Sequence, residues 1–126
     1  VLKQHDMDQI FLLAPTSTDE RIQHVVKQAS GFIYYVSLKG VTGAATLDTA
    51  EAAARIAKIK THTNVPVGVG FGISDAASAK AMGQVADAVI VGSALVKPFA
   101  TLAIDQAVEQ TVNKIKELRA ALDELV

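Results

Sequence analysis

The sequence predicts an α/β fold in which a parallel sheet is flanked by helices. Short apolar runs rich in β-branched residues alternate four times with segments of helical periodicity along 126 residues. The runs are almost continuously hydrophobic, as strands buried on both faces are. The connections between them are long enough for helical crossovers, which parallel pairing requires. No linker, low-complexity segment or composition break divides the chain, so residues 1–126 are expected to form one domain.

The elements follow in order. Gln9-Ile-Phe-Leu-Leu-Ala-Pro15 reads as a strand that stops at proline. Ser17 with Glu20 has the spacing of a capping box. The helix after it carries Ile22, Val25, Val26 and Ala29 on one face and ends at Ser30-Gly31. Residues 32–37 form the second strand. A loop of about ten residues, 38–47, holds two glycines and two threonines, and a loop that long in a small domain is usually functional. Asp48 and Glu51 open a second helix with Ala52, Ile56 and Ile59 as its apolar stripe, ended by Asn64. The third strand spans 65–71. Ser74 caps a short alanine-rich helix that runs to about Gly83, and 88–91 is the fourth strand. Residues 93–97 make one helical turn cut by Pro98. A final helix of about 24 residues, roughly 36 Å long, turns Ile104, Val108, Val112, Ile115, Leu118, Leu122 and Leu125 to one side.

Four strand–helix units in 126 residues are half of the eight units and about 250 residues of a TIM barrel. The expected architecture is a (βα)4 half of a TIM (β/α)8 barrel. A half-barrel leaves two sheet edges unpaired and its apolar inner layer open, which predicts self-association or pairing with a missing N-terminal half. The first residues lack an initiating Met and read as the end of a helix that begins upstream.

Composition narrows the function. Half of the residues are apolar and the net charge is −1, which gives no electrostatic basis for binding nucleic acid or an anionic membrane. No apolar run approaches the roughly 20 residues of a membrane helix. The chain has no cysteine, so disulfides and thiolate metal sites are excluded and a cytoplasmic setting is expected.

The chemistry concentrates in two related stretches, Val65-Pro-Val-Gly-Val-Gly-Phe-Gly-Ile-Ser74 and Asp87-Ala-Val-Ile-Val-Gly-Ser-Ala-Leu95. Each is a strand ending in glycine and a small hydroxyl residue ahead of a helix. With Gly40-Val-Thr-Gly43 they set three glycine turns at the C-terminal ends of parallel strands, the end where such sheets bind ligands. Glycine exposes backbone N–H groups, and Ser93 adds a hydroxyl at the start of a helical turn, a combination suited to phosphate. The glycine spacing at 68, 70 and 72 is not that of a dinucleotide site, and no triphosphate loop occurs. No cofactor is expected. His5, His24 and His62 lie in helices or at their ends, and Asp19, Glu20, Asp48, Glu51 and Asp75 sit at helix starts, where capping explains them. Tyr34 is either a wall of the ligand site or part of the core. Lys39 and Lys97 lie near the phosphate end and are read as solvated.

Three motifs in order, Tyr34-Tyr-Val-Ser-Leu-Lys-Gly-Val-Thr-Gly-Ala44, Val67-Gly-Val-Gly-Phe-Gly-Ile-Ser74 and Ala88-Val-Ile-Val-Gly-Ser-Ala-Leu-Val-Lys97, closely resemble the tryptophan synthase alpha subunit family. Phe11-Leu-Leu-Ala-Pro15 fits as well. The resemblance spans the chain and covers the second half of that subunit, barrel strands five to eight. It implies a lyase of tryptophan biosynthesis that cleaves indole-3-glycerol phosphate to indole and glyceraldehyde 3-phosphate and passes indole to a beta subunit. By motif, Gly43, Gly72, Gly92 and Ser93 would hold the phosphate and Phe71 would line the pocket beside it. Tyr34 would border the glycerol moiety, and Thr42 would belong to a closing lid. Position 38 is Leu where the family often has Arg. The family's proton-transferring glutamate and aspartate belong to its second strand and the following loop, so the resemblance implies a binding half that is inactive alone, with no catalytic residue of its own. Two alternatives are another phosphate-binding barrel enzyme, such as a relative of indoleglycerol-phosphate synthase or a phosphoribosyl isomerase, and a non-enzymatic or engineered half-barrel module.

Overall fold

The computed structural model describes residues 2–36, 49–70 and 72–126. Four strands, β1 (Phe11–Leu13), β2 (Ile33–Val36), β3 (Val67–Gly70) and β4 (Ala88–Ile90), form one parallel sheet in sequence order. Helices α1 (Asp19–Gln28), α2 (Thr49–Lys60) and α3 (Ala76–Gly83) make the crossovers. A single turn, α4 (Ser93–Val96), runs through a 3-10 turn, Lys97–Ala100, toward the long α5 (Ile104–Asp123).

Strand periodicity divides the sheet into two unlike faces. Register puts Leu13 beside Tyr35, and Ile33 and Tyr35 beside Val67 and Val69. All five are buried, together with Ile22 and Val25 of α1, Ala52, Ile56 and Ile59 of α2, and Ala79 and Met82 of α3. This is the core, and its helical contributors are largely the stripes that the sequence marks. The opposite face carries Leu12, Tyr34, Gly68 and Ala88 in register, and Leu12 there is 55% exposed. Among the described residues β1 and β4 are the edge strands, and this face is open at Leu12.

Local details depart from the sequence reading at helix ends. Thr18, not Ser17, caps α1: its Oγ1 accepts the Arg21 N–H at 3.3 Å. Ser17 faces back over the Pro15 turn, where its Oγ accepts the Ala14 N–H at 3.0 Å. With the cap one residue later, Glu20 is too early to complete a capping box. Asp75, not Ser74, caps α3, in a reciprocal box with Ser78: Asp75 Oδ1 accepts the Ser78 N–H at 2.8 Å and Ser78 Oγ accepts the Asp75 N–H at 3.2 Å. These bonds hold the Asp75 carboxyl below its ordinary range. Helix α2 ends at Lys60, four residues before Asn64, and the Asp48 expectation lies outside the described residues.

Helix α5 differs most. Its C-terminal half packs on α3 through Leu118 and Ala121, and Gly83 admits the Leu122 side chain where a Cβ would meet it. The Ala76 N–H donates to Glu117 Oε1 at 3.2 Å across the same contact. The N-terminal half buries Ala107 instead, and Ile104, Val108, Val112 and Ile115 of the expected stripe are exposed. A single stripe predicts a single packed face only when a partner runs the full length of the helix, and α3 is eight residues against twenty in α5.

At the sheet's N-terminal end Asp87 ties three elements together. Its Oδ2 accepts the Val67 N–H at 2.9 Å, its own N–H donates to Val67 O at 3.0 Å, and Oδ1 pairs with Lys60 Nζ at 2.6 Å. The Lys60 bond, with the Val67 bond next, holds the carboxyl below its ordinary value of 3.8. The ion pair is exposed enough to contribute little; the half-buried Val67 N–H is the part that suffers when its acceptor is lost. Asp87→Ala is expected to cost about 1–3 kcal/mol in urea unfolding, and Asp87→Asn less, because its amide oxygen still accepts. A carboxyl with a depressed folded pKa stabilises fully above its unfolded value and loses that contribution as pH falls through the folded value. Wild type should therefore weaken below about pH 4 more steeply than Asp87→Asn, measured by unfolding midpoints at stepped pH.

Candidate functional site

The C-terminal ends of β3 and β4 open on a cavity of about 410 Å³ lined by Tyr34, Gly72, Ser74, Ile90, Gly92 and Ser93, among others. Four of the sequence-predicted site residues, Tyr34, Gly72, Gly92 and Ser93, are thus brought to one place. The other three, Thr42, Gly43 and Phe71, lie outside the described residues.

Tyr34 reaches the cavity because β3 gives it room. A Cβ on Gly70 would overlap the Tyr34 hydroxyl, and one on Gly68 would come within 3.0 Å of Ile90 Cδ1 and 3.3 Å of Phe32. The two strand glycines are spaces for large neighbours, the use of glycine that a strand interior signals. Tyr34 is accordingly a wall of the cavity, while Tyr35 belongs to the core on the opposite face, where burial raises its hydroxyl pKa.

The two glycines of the described lining differ in what the fold demands of them. Gly72 has φ +71°, a left-handed conformation that side-chain-bearing residues adopt only with strain. Gly92 has negative φ, and a Cβ there would meet nothing within 4 Å. Its lack of a side chain leaves the cavity floor open without serving the protein's own packing. Ser93 follows it at the first position of α4, an element fixed from behind by Thr111, whose Oγ1 donates to Leu95 O at 3.1 Å.

The sources of positive potential are narrower than the sequence suggests. The start of α3 is occupied internally: the Ser74 and Asp75 N–H groups donate to Ser78 Oγ, that of Ala76 to Glu117 and that of Ser78 to Asp75. Helix α4 is four residues long, too short for a developed macrodipole. The remaining donors along the described lining are the glycine-turn N–H groups, the Tyr34, Ser74 and Ser93 hydroxyls and the Lys97 ammonium. No aspartate, glutamate or histidine is among the described lining residues. Such a cavity can hold an anion, and its described lining has no carboxylate or imidazole to serve as acid or base. Ser74 and Ile73 lie in the turn that the sequence assigns to this end and Lys97 near it, whereas Ile90 is a lining residue that sequence reading missed. The signal for Ile90 is register, since it pairs with Gly70.

Comparison with known proteins gives the same direction. A family profile described as "Tryptophan synthase alpha chain" matches residues 1–126. The chain is 93% identical over 126 residues to the tryptophan synthase alpha chain of Acinetobacter baylyi and 89% identical to that of Acinetobacter baumannii, in each case covering 100% of this chain and 47% of the relative. It spans about half the length of these curated relatives. Among solved structures, a Mycobacterium tuberculosis tryptophan synthase superposes with a TM-score of 0.79 at 38% identity, over 95% of this chain and 44% of that one. The tryptophan synthase subunit alpha of Legionella pneumophila superposes with a TM-score of 0.78 at 29% identity, over 97% and 45%. The four-stranded parallel sheet with its flanking helices is the α/β fold of those proteins, and the chain belongs to the tryptophan synthase alpha chain family.

Proposed function

We propose that this chain is the C-terminal, phosphate-binding half of a tryptophan synthase alpha chain, corresponding to barrel strands five to eight. The whole protein would cleave indole-3-glycerol phosphate to indole and glyceraldehyde 3-phosphate in the cytoplasm and deliver indole to a beta subunit. The observation that carries this reading is the convergence of Tyr34, Gly72, Gly92 and Ser93 on one cavity in a chain that matches the family from end to end.

The division of labour follows from the lining. In a retro-aldol cleavage a hydroxyl proton leaves to a base, a carbon–carbon bond breaks and an acid protonates the carbon that leaves. The cavity contributes no carboxylate or imidazole for these transfers among its described residues. Its part is to hold the phosphate, so that the glycerol carbons lie in one orientation relative to an acid and base supplied elsewhere. Binding energy gathered at a non-reacting phosphate can be used at the reacting carbons. Gly72, Gly92 and Ser93 would donate to the phosphate and Tyr34 would border the glycerol; Gly43, Phe71 and Thr42 complete the proposed set on the strength of the motif alone. The open inner face, with Leu12 exposed, and the free edges of β1 and β4 support pairing with the N-terminal half, or self-association in its absence.

Indole release tests this directly. The 126-residue chain alone should produce none, and mixing it with the preceding half of a close relative's alpha chain should restore it; activity in the isolated chain would overturn the proposed division of labour. In sedimentation velocity the isolated chain should run larger than a monomer, and a stable monomer would argue against self-association. Gly92→Ala separates binding from folding, because nothing in the fold meets the added methyl. Its stability should stay within about 1 kcal/mol of wild type, while inorganic phosphate should bind at least about tenfold more weakly through lost contacts and steric exclusion.

A further inference from the structure

We infer that Lys97 is a specificity residue of this site, pairing its ammonium group with the ligand's phosphate and selecting for the dianion. The inference rests on the phosphate reading proposed above and adds the charge that reading lacks. With α3's first N–H groups occupied by the protein and α4 too short to focus a field, neutral donors alone would face a doubly charged group. Lys97 lines the same cavity as Gly72, Gly92 and Ser93, and it is the cation among the described lining residues.

Four other lysines are engaged by the protein's own carboxylates. Lys58, Lys60, Lys80 and Lys114 pair with Asp19, Asp87, Glu124 and Glu117. Lys97 has no carboxylate partner among the described residues, and no described carboxylate lines the cavity to compete for it. It also borders a second open space of about 370 Å³, beside Pro98, Leu102 and Gln110. Lys97 is exposed, so its stem is free to turn toward the phosphate cavity. An ammonium paired with a dianion in a partly enclosed site binds more strongly than a neutral donor does. A point charge on a flexible stem tolerates small differences in phosphate position that a fixed N–H does not.

The test uses inorganic phosphate and the intact chain, following the amide resonances of Gly72, Gly92 and Ser93 by NMR. Lys97→Met, which keeps the stem and removes the charge, should weaken phosphate binding about five- to tenfold. It should also flatten the salt dependence of binding and reduce the preference for dianion over monoanion across the second ionisation of phosphate. Lys97→Arg should restore all three within about twofold, an outcome that a merely structural role for the stem would not give. If Lys97→Met binds within twofold of wild type and keeps the same salt and pH profiles, the inference is overturned and the glycine site stands. If phosphate fails to move the three amides in wild type, the site reading and this inference fall together.

Discussion

The alternation of valine and glycine in β3 is the constraint on which the other features depend. All four of its residues are buried, yet the two faces do opposite things. Val67 and Val69 fill the layer beneath the helices, and the area they remove from water is part of what holds α1, α2 and α3 to the sheet. Gly68 and Gly70 subtract volume on the other face and let Phe32, Tyr34 and Ile90 lie across the strand. Larger residues at the glycines would push Tyr34 away from the cavity; smaller ones at the valines would loosen the helices that hold the ligand turns. One four-residue strand sets both the core and the shape of the site.

Much of this was legible in the residues, for physical reasons that can be named. Strand identity and parallel order follow from apolar runs joined by crossovers, and the apolar faces of α1 and α2 from helical spacing, because both are properties of periodicity. The ligand end follows from glycines after strands. The helix caps were less legible: Ser17 and Thr18 are both good cap residues, and the choice between them depends on where the Pro15 turn aims the chain. Ser74 and Asp75 differ in the same way. The burial of α5 was legible only in part, since periodicity reports which residues could be buried and not how far a neighbour extends. Ala107 and Ala121 lie at contacts that a stripe of large residues does not mark.

In the site, the glycine and hydroxyl positions were visible in sequence, and Tyr34 was not decided by it. Its face is fixed by strand register, but its role as a wall depends on the space over Gly70, a relation between residues 36 positions apart in the chain. Lys97 shows the opposite difficulty. It reads as a solvated lysine near the phosphate end and is exposed in the fold; the three-dimensional lining adds that it borders the cavity. The occupied N–H groups at the start of α3 were equally hidden, because Glu117, which takes one of them, comes from a different helix.

The two ends of the sheet also differ in how freely their sequences can drift. At the Asp87 end the requirement is an acceptor for one half-buried N–H and a short reach to α2, which several polar residues could meet with compensating changes nearby. At the other end Gly72 is fixed by its backbone and Gly92 by empty space. An added methyl at 92 would leave a folded protein that cellular quality control has no reason to remove. Nothing in the fold itself demands a glycine there, so under the proposed function its reason would lie in the ligand alone.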